Sequence, residues 1–168
     1  MKIDLFSTTI FDYLKCDFGI HDENKLPTEP AKIVHYNDGI AKVINRDKYS
    51  IYFIPLDKNI ECLRADGNIE SQCDALLICL RPQNKYDFYF VELKDSRTGD
   101  WIQGGIEQLK ATIETFRSNY NLSYLSKKMS FLANKKKPHY PYSHIEFMER
   151  FRNETGFRLS ICATIAVK

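Results

Sequence analysis

The sequence has 168 residues, of which 43% are hydrophobic and 13% are aromatic, so it is long and apolar enough to bury one sizeable core. No apolar run reaches membrane-spanning length, and acids at Asp4 and Asp12 are not typical of a signal peptide. The five cysteines are odd in number and include no C-x-x-C pair, which indicates buried free thiols. We therefore expect a single cytoplasmic domain over residues 1–168.

The charge is distributed unevenly along the chain. The net charge is +2, but residues 1–107 carry 13 Lys and Arg against 18 Asp and Glu, whereas residues 108–158 carry 10 against 4. A concentration of positive charge favours contact with phosphate groups. The second half of the chain is therefore the candidate face for binding nucleic acid.

The first 68 residues predict a helix followed by short strands. Apolar residues between positions 4 and 15 are compatible with a short helix. The polar segment 22–30 contains two prolines and is expected to be a loop. Three β-rich runs separated by turn residues then predict an antiparallel meander. These runs are residues 32–36, 40–45 and 50–55.

The most informative stretch is 73–94, which reads CDALLICLRPQNKYDFYFVELK. Two apolar runs are separated there by a polar segment that contains a proline, which is typical of a β-hairpin. If Ile78 lies opposite Phe88, then Asp74 lies opposite Glu92, and Lys94 shares their face because side chains alternate along a strand. The sequence thus predicts two carboxylates and one ammonium at one end of a sheet.

Such a cluster needs compensation, because two carboxylates that face each other repel. Magnesium prefers oxygen ligands and is commonly held by one or two carboxylates. A nearby ammonium can orient a water molecule or offset the charge that develops on a phosphate. The alternative is an internal ion triad in which Lys94 neutralises one acid. The three charges alone do not choose between the two.

The segment after the hairpin predicts a long amphipathic helix. Asp100 and Gln103 have the spacing of a capping box, and apolar residues over 102–116 recur at helical spacing. Gln108 lies about 120° from the centre of that apolar stripe, where it can border the end of the sheet. The alternative for Gln108 is an ordinary exposed position. Two glycines in the first turn indicate that the helix backbone closely approaches a strand or a phosphate.

Lysines flank the next predicted strand, residues 129–133. Tyrosines interleave with them, and lysine with aromatic residues is the composition expected of a groove that follows a nucleic-acid backbone. The alternative is a solvated loop beside tyrosines of the core. The candidate nucleic-acid-binding lysines are Lys127, Lys128, Lys135, Lys136 and Lys137.

Two further elements are predicted near the C-terminus. Ser143 and Glu146 form another capping-box pattern, which opens a predicted helix that runs to about residue 154 and is stopped by Gly156. Residues 157–167 are then predicted to form one strand, and apolar residues on both of its faces place it centrally in the sheet. The histidines do not have the spacing of a zinc site, so no zinc is expected.

The segments CDALL, FVELKD and GGIEQLKATI resemble the PD-(D/E)xK phosphodiesterase superfamily, the restriction-endonuclease-like nucleases. In that pattern an Asp leads one strand, a Glu-x-Lys ends the next, and a polar residue such as Gln often lies on the following helix. Asp74, Glu92, Lys94 and Gln108 match these positions. The resemblance covers residues 69–116, and the chain has a Cys where many members carry Pro before the first Asp.

The resemblance implies a role for each matching residue. Asp74 and Glu92 would bind Mg²⁺, with Mn²⁺ as an alternative, and the main-chain carbonyl of Leu93 would complete the protein ligands. Lys94 would assist the attacking water, and Gln108 would support the site.

We therefore predict an α/β domain with a mixed central β-sheet flanked by helices and a restriction-endonuclease-like core. An N-terminal helix and a β-meander occupy residues 1–68, and the catalytic core occupies 69–168 in the order hairpin, helix, strand, helix, strand. The predicted function is metal-dependent hydrolysis of phosphodiester bonds in nucleic acid, with DNA favoured over RNA. The alternative is a module that binds nucleic acid or a protein without cutting. The oligomeric state stays open and includes a homodimer.

Overall fold

The computed structural model describes residues 11–23, 28–62, 66–97, 99–137 and 144–168, and within them the chain is a mixed α/β protein, as predicted. The strands are β1 (Asp12–Leu14), β2 (Phe18–His21), β3 (Lys32–Val34), β4 (Ala41–Ile44), β5 (Ile51–Pro55), β6 (Ala75–Arg81), β7 (Lys85–Lys94), β8 (Leu125–Asn134), β9 (Arg158–Ser160) and β10 (Thr164–Ala166). The helices are α1 (Trp101–Asn119) and α2 (Ile145–Thr155).

In the described residues the larger sheet has six strands, in the order β1-β5-β6-β7-β8-β9. The strands from β1 to β7 in this order pair antiparallel, whereas β8 runs parallel to β7 and β9 runs parallel to β8. Parallel neighbours need a crossover connection, and α1 and α2 lie in these crossovers. The predicted order of hairpin, helix, strand and helix is confirmed, and β9 follows as the start of the predicted last strand.

The larger sheet lies between two other layers. One face packs against α1 and α2, with Phe90, Leu109 and Phe116 among the buried residues of that interface. The opposite face packs against a smaller sheet, in which the strand order is β10-β4-β2-β3, and Phe53 and Val43 belong to this second core. Helices thus cover one face of the larger sheet, and a second sheet covers the other.

β6 and β7 form the central hairpin of the larger sheet. Their sequences are nearly continuous apolar runs because both of their faces are covered. Ile78 lies opposite Phe88, as predicted, and the register continues without a shift to the start of β6. Extended one residue beyond β6, this register brings Asp74 beside Glu92.

The helix α1 begins directly after Asp100 and covers the predicted helical segment. The predicted capping box is wrong, because within the described residues the Asp100 side chain makes no capping hydrogen bond and Gln103 donates to Glu107 Oε1 at 2.7 Å instead. A Cβ atom at Gly105 would collide with the Leu132 side chain of β8. Gly105 therefore lets α1 approach the sheet closely, as predicted. The prediction is wrong for Gly104, because a Cβ atom there would meet no described residue within 4 Å.

The helix α2 ends where the sequence predicts. Gly156 follows its last residue in the left-handed conformation, with φ of 76°, which glycine adopts without steric cost. His144 is the N-cap residue, and Ser143 of the predicted capping box lies outside the described residues. Only the C-terminal part of this prediction is therefore tested.

The first 68 residues fold differently from the prediction. Asp12–Leu14 is the strand β1 and not the end of a helix, and residues 4–10 lie outside the described part of the chain. The meander is also wrong, because β2, which the sequence pattern did not reveal, lies between β3 and β4. β5 belongs to the larger sheet instead. Three strands that follow one another in sequence thus belong to two layers.

The predicted terminal strand, residues 157–167, is in fact two short strands in two sheets. β9 is the edge of the larger sheet, and β10 is the edge of the smaller sheet, where it runs parallel to β4. Phe157 and Leu159 are buried in the helix-side core, whereas Ile165 and Val167 are buried in the core between the sheets. The segment is apolar because its first part packs in one core and its last part packs in the other. Both strands lie at sheet edges, so the predicted central position in the sheet is wrong.

None of the described helices is long and apolar enough to cross a membrane. All five cysteines are free thiols. Cys62, Cys73 and Cys79 are buried, as predicted, whereas Cys162 is partly exposed and Cys16 is exposed.

Candidate active site

Asp74, Glu92 and Lys94 lie at one end of the β6-β7 hairpin, on the face of the sheet that packs against α1. Leu76 and Phe90 are buried in the helix-side core. Because side chains alternate along a strand, Asp74 shares the face of Leu76, and Glu92 and Lys94 share the face of Phe90. The predicted clustering of the three charges is therefore what the fold produces.

Specific contacts join these residues to α1. The Lys94 ammonium Nζ lies 2.6 Å from Glu92 Oε1 and donates a hydrogen bond to Gln108 Oε1 at 2.5 Å. Asp74 Oδ2 accepts a hydrogen bond from the main-chain N–H of Leu93 at 2.6 Å. The amide and the carbonyl of one residue point to the same side of a strand, so the Leu93 carbonyl also faces the Asp74 side. All the residues of the predicted site lie together.

A buried threonine fixes α1 against the start of β6. The main-chain N–H of Cys73 donates to Thr112 Oγ1 at 2.7 Å, and the Thr112 hydroxyl donates to the main-chain carbonyl of Gln108 at 2.9 Å. This bridge fixes the turn of α1 that contains Gln108 next to the chain segment that contains Asp74. Thr112 is not among the predicted site residues, although it follows Gln108 by one helical turn and lies on the same flank of α1.

Burial controls the protonation of both acids. Asp74 is 8% exposed and Glu92 is 1% exposed. Burial raises the pKa of Asp74 to about 7, although the Leu93 N–H and the charge of Lys94 act in the opposite direction. Burial, reinforced by the charge of Asp74 and opposed by Lys94, raises the pKa of Glu92 well above its usual range. Binding of a proton or a cation therefore stabilises the pair.

Two more acids add negative charge around Asp74. Asp22, which is buried at the end of β2, and Asp57 both raise the pKa of Asp74. Lys58 lies between them, with Nζ at 3.6 Å from Asp22 Oδ1 and 3.8 Å from Asp57 Oδ2. Its backbone has a φ of 62°, an uncommon conformation for a lysine. No local pattern in the sequence points to these residues, because β2 and β5 bring them to the site from two different sheets.

Glu92 has an oxygen that is suited to a cation. Its Oε2 atom is buried and has no hydrogen-bond partner in the described residues. A buried acceptor without a partner is costly, and a divalent cation that prefers oxygen ligands would satisfy it. Among the described residues no group of three or more His, Cys, Asp or Glu side chains has the arrangement of a metal centre. The candidate ligands are therefore only two side chains, those of Asp74 and Glu92, together with the main-chain carbonyl of Leu93.

The five candidate lysines do not form one patch. Lys127 and Lys128 lie near the start of β8, whereas Lys135, Lys136 and Lys137 follow its end. At about 3.3 Å per residue, the two groups are separated by roughly 20 Å or more.

Of the five candidate lysines, only the three beyond β8 lie at the end of the sheet that holds the carboxylates. Asn134, the last residue of β8, pairs with Lys94, and the main-chain N–H of Lys135 donates to the Lys94 carbonyl at 2.8 Å. The Lys136 side chain forms an ion pair with Asp95 at 3.2 Å. A phosphate chain that reached Asp74 would therefore pass close to this group of lysines.

No protein-family model matches the chain, and neither a curated protein nor a solved structure matches it. The likeness to the PD-(D/E)xK nucleases therefore depends on the motif residues and their arrangement alone.

Proposed function

We propose that this protein hydrolyses phosphodiester bonds in nucleic acid with a divalent cation, Mg²⁺ or Mn²⁺, as its cofactor. The observation that carries the proposal is the buried pair of Asp74 and Glu92, whose pKa values are both raised and which lie beside an ammonium and an amide. Burying a second acid next to the first is costly. Stability of the sheet end alone does not account for this second buried acid.

The donor set fits a hard divalent cation. Asp74, Glu92 and the Leu93 carbonyl would hold it, and all three donors are oxygens, which Mg²⁺ prefers. When bound, such a cation supplies charge stabilisation to a phosphate and lowers the pKa of a water molecule.

The protein itself positions the ammonium. Lys94 has three N–H donors, of which one contacts Glu92 and one contacts Gln108 in the described residues. The side chain is 23% exposed, so its remaining donor can reach an attacking water or a phosphate oxygen. Gln108 and Glu92 restrict the rotation of Lys94, and preorganised charge of this kind stabilises a transition state without reorganisation at the moment of reaction.

Charge near the site supports a nucleic-acid substrate. Lys135 is exposed directly after β8, at the end of the sheet where Lys94 lies. The Lys135–Lys137 segment would contact phosphates adjacent to the one that is cleaved. DNA is favoured over RNA on the resemblance, and nothing in the contacts above reads a base.

A second candidate is a module that binds nucleic acid or a protein without cutting. The Glu92–Lys94 ion pair and the Leu93 N–H bond to Asp74 favour it, because they compensate part of the negative charge within the protein. They do not compensate all of it, since Glu92 Oε2 is left without a hydrogen-bond partner in the described residues.

A cleavage assay separates the two candidates. The full chain is incubated with single- and double-stranded DNA and RNA in Mg²⁺, in Mn²⁺, in Ca²⁺ and in chelator. We expect cleavage in Mg²⁺ or Mn²⁺ and loss of cleavage in Ca²⁺, whose larger and looser coordination shell misplaces water and phosphate. Equal cleavage in chelator would contradict the metal dependence, and binding without cleavage under every condition would favour the module.

A further inference from the structure

A concave region lies near the start of β8, at the end far from Asn134. This cavity has a volume of about 550 Å³ and is bordered by the first half of β8, the end of α2, β9 and the end of β10. Its volume is within the range of small-molecule sites. The lining contains five cationic side chains and no Asp or Glu, and the cations are Lys127, Lys128, Arg152, Arg158 and Lys168.

The shape of this cavity follows from the shortness of β9. β9 pairs only with Met129–Phe131 of β8, so in the described residues the first part of β8 has β7 on one side and no strand on the other. Arg158 is the first residue of β9 and pairs with Met129, which places it where the two strands meet. The chain turns at Gly156 just before it, and the open space lies beyond that junction.

Four of these cationic side chains make no ion pair within the described part of the chain, namely those of Lys128, Arg152, Arg158 and Lys168. Lys127 donates to the main-chain oxygen of Lys168, which brings both of these residues to the same wall. Like charges gathered around one concave surface repel, and an anion in the cavity would relieve that repulsion.

Nearby negative groups do not cancel this charge. The C-terminal end of α2 carries a partial negative charge, but Arg117 donates to the carbonyls of Thr155 and Glu154 at 2.5 and 3.4 Å. Asp87, behind Tyr89 of the lining, is paired with Arg81 Nε at 2.5 Å.

One acid does lie close by. Glu149 borders an adjoining hollow together with Arg152 and Arg158. One carboxylate against five cations leaves the cavity strongly positive.

We propose that this cavity binds a ligand that carries two or more phosphate groups, and that Lys128, Arg152 and Arg158 recognise it. Arginine presents a planar fork that matches two phosphate oxygens, and lysine adds a point charge. The site lies roughly 20 Å along β8 from the carboxylate end, so it does not depend on the proposed nuclease function. The phosphates can come from a free diphosphate or nucleotide, or from a nucleic-acid backbone.

Calorimetric titration of the full chain tests the proposal and separates these sources. Pyrophosphate and ADP represent the free source, and 12-nucleotide single- and double-stranded DNA represent the polymer. We expect saturable binding of at least one of these probes at about 0.1 M salt. The double variant Arg152→Gln/Arg158→Gln should weaken that binding by at least about tenfold, because each lost arginine removes a charge-assisted contact. Arg150→Gln, an exposed arginine of α2 outside the lining, is the matched control and should leave binding unchanged.

The identity of the probe gives the source. Pyrophosphate or ADP binding that the double variant weakens assigns a free phosphate ligand, and DNA binding alone with the same sensitivity assigns a backbone phosphate. Arg158→Lys keeps the charge but loses the fork, so it should weaken binding less than Arg158→Gln. Absence of saturable binding to every probe, or equal weakening by Arg150→Gln, would overturn the proposal. The cations would then only keep the free edge of β8 from pairing with another strand.

Discussion

The two ends of the β6-β7 hairpin each bury an acid beside a cation, yet they are built differently. At the turn end, the fully buried Asp87 accepts a hydrogen bond from Arg81 Nε at 2.5 Å. At the other end, Glu92 lies 2.6 Å from Lys94, but Asp74 is a second buried acid beside them. One acid with one arginine forms a balanced ion pair. Two ionised acids with one lysine have an excess of negative charge, which lowers the stability of the fold. Proteins retain such destabilising groups where function requires them.

An unpartnered oxygen alone does not distinguish the two ends. Asp87 Oδ1 and Glu92 Oε2 are both buried without a hydrogen-bond partner in the described residues. The surroundings of the cation do differ, because Arg81 packs over the Tyr49 ring at 4.0 Å, whereas Lys94 is held by the side chain of Gln108. The arginine is part of the packing, and the lysine is positioned at an accessible site.

The largest expected effect is on catalysis. Asp74→Ala, Glu92→Ala and Lys94→Ala should each lower the cleavage rate by about a thousandfold or more, because in the proposed function the three residues act as a unit around one cation. Single-turnover cleavage in Mg²⁺ measures the effect, with circular dichroism to check that each variant is folded. Glu61→Ala, at an exposed acid, is the matched control. Cleavage within tenfold of wild type in any of the three variants would remove that residue from the site.

The next largest effect separates the two ends by stability. Arg81→Ala should lower the free energy of unfolding by about 3–5 kcal/mol, because it leaves Asp87 buried without its cation. Lys94→Ala should lower the free energy of unfolding by less, since Lys94 is partly exposed and Glu92 can take up a proton. Urea unfolding at pH 7 measures both variants, with Arg150→Ala as the exposed control. A cost for Lys94→Ala equal to that for Arg81→Ala would mean that the two ion pairs have the same structural role.

The hairpin and its charges could be predicted because their signals are local. Continuous apolar runs, one turn length and strict alternation of side chains are enough to place Asp74, Glu92 and Lys94 together. The position of Gln108 could also be predicted, because helical periodicity fixes which side of α1 it occupies. In each case residues close in sequence, or a single periodicity, determine the geometry.

The remaining features depend on contacts between distant segments. β2 contains Gly19, which reads as a strand breaker, but a Cβ there would collide with the backbone of Gly39 and His35. The glycine is required because the segment between β3 and β4 passes close to β2, and the sequence does not reveal this contact. Asp22 and Lys58 reach the site for the same reason, since the packing of two sheets brings them to Asp74.

The pH dependence of stability should differ between wild type and Asp74→Asn. The pKa of Asp74 is raised from 3.8 to about 7 in the folded protein, so the folded state holds this proton more tightly than the unfolded chain. The resulting stabilisation is present below about pH 4 and is lost as the pH rises to about 7.

Urea unfolding in metal-free buffer between pH 4 and 7.5 measures this loss. Its upper limit is about 4 kcal/mol for Asp74, on top of a contribution of the same sign from Glu92. Asp74→Asn should show a shallower fall across this range because it lacks the titrating group. Parallel curves for the two proteins would show that Asp74 does not titrate in this window.

The most direct test of the carboxylate site is the effect of magnesium on the melting temperature of wild type and Asp74→Asn. In metal-free buffer we expect Asp74→Asn to melt at a higher temperature, because the amide oxygen can still accept from the Leu93 N–H while the repulsion with Glu92 is gone. Magnesium should stabilise the wild type, by about 2.7 kcal/mol at a hundred times its dissociation constant, and should have little effect on Asp74→Asn. A wild type whose melting temperature is unchanged by magnesium, together with an Asp74→Asn variant that melts lower, would contradict the metal site and leave an internal ion triad in its place.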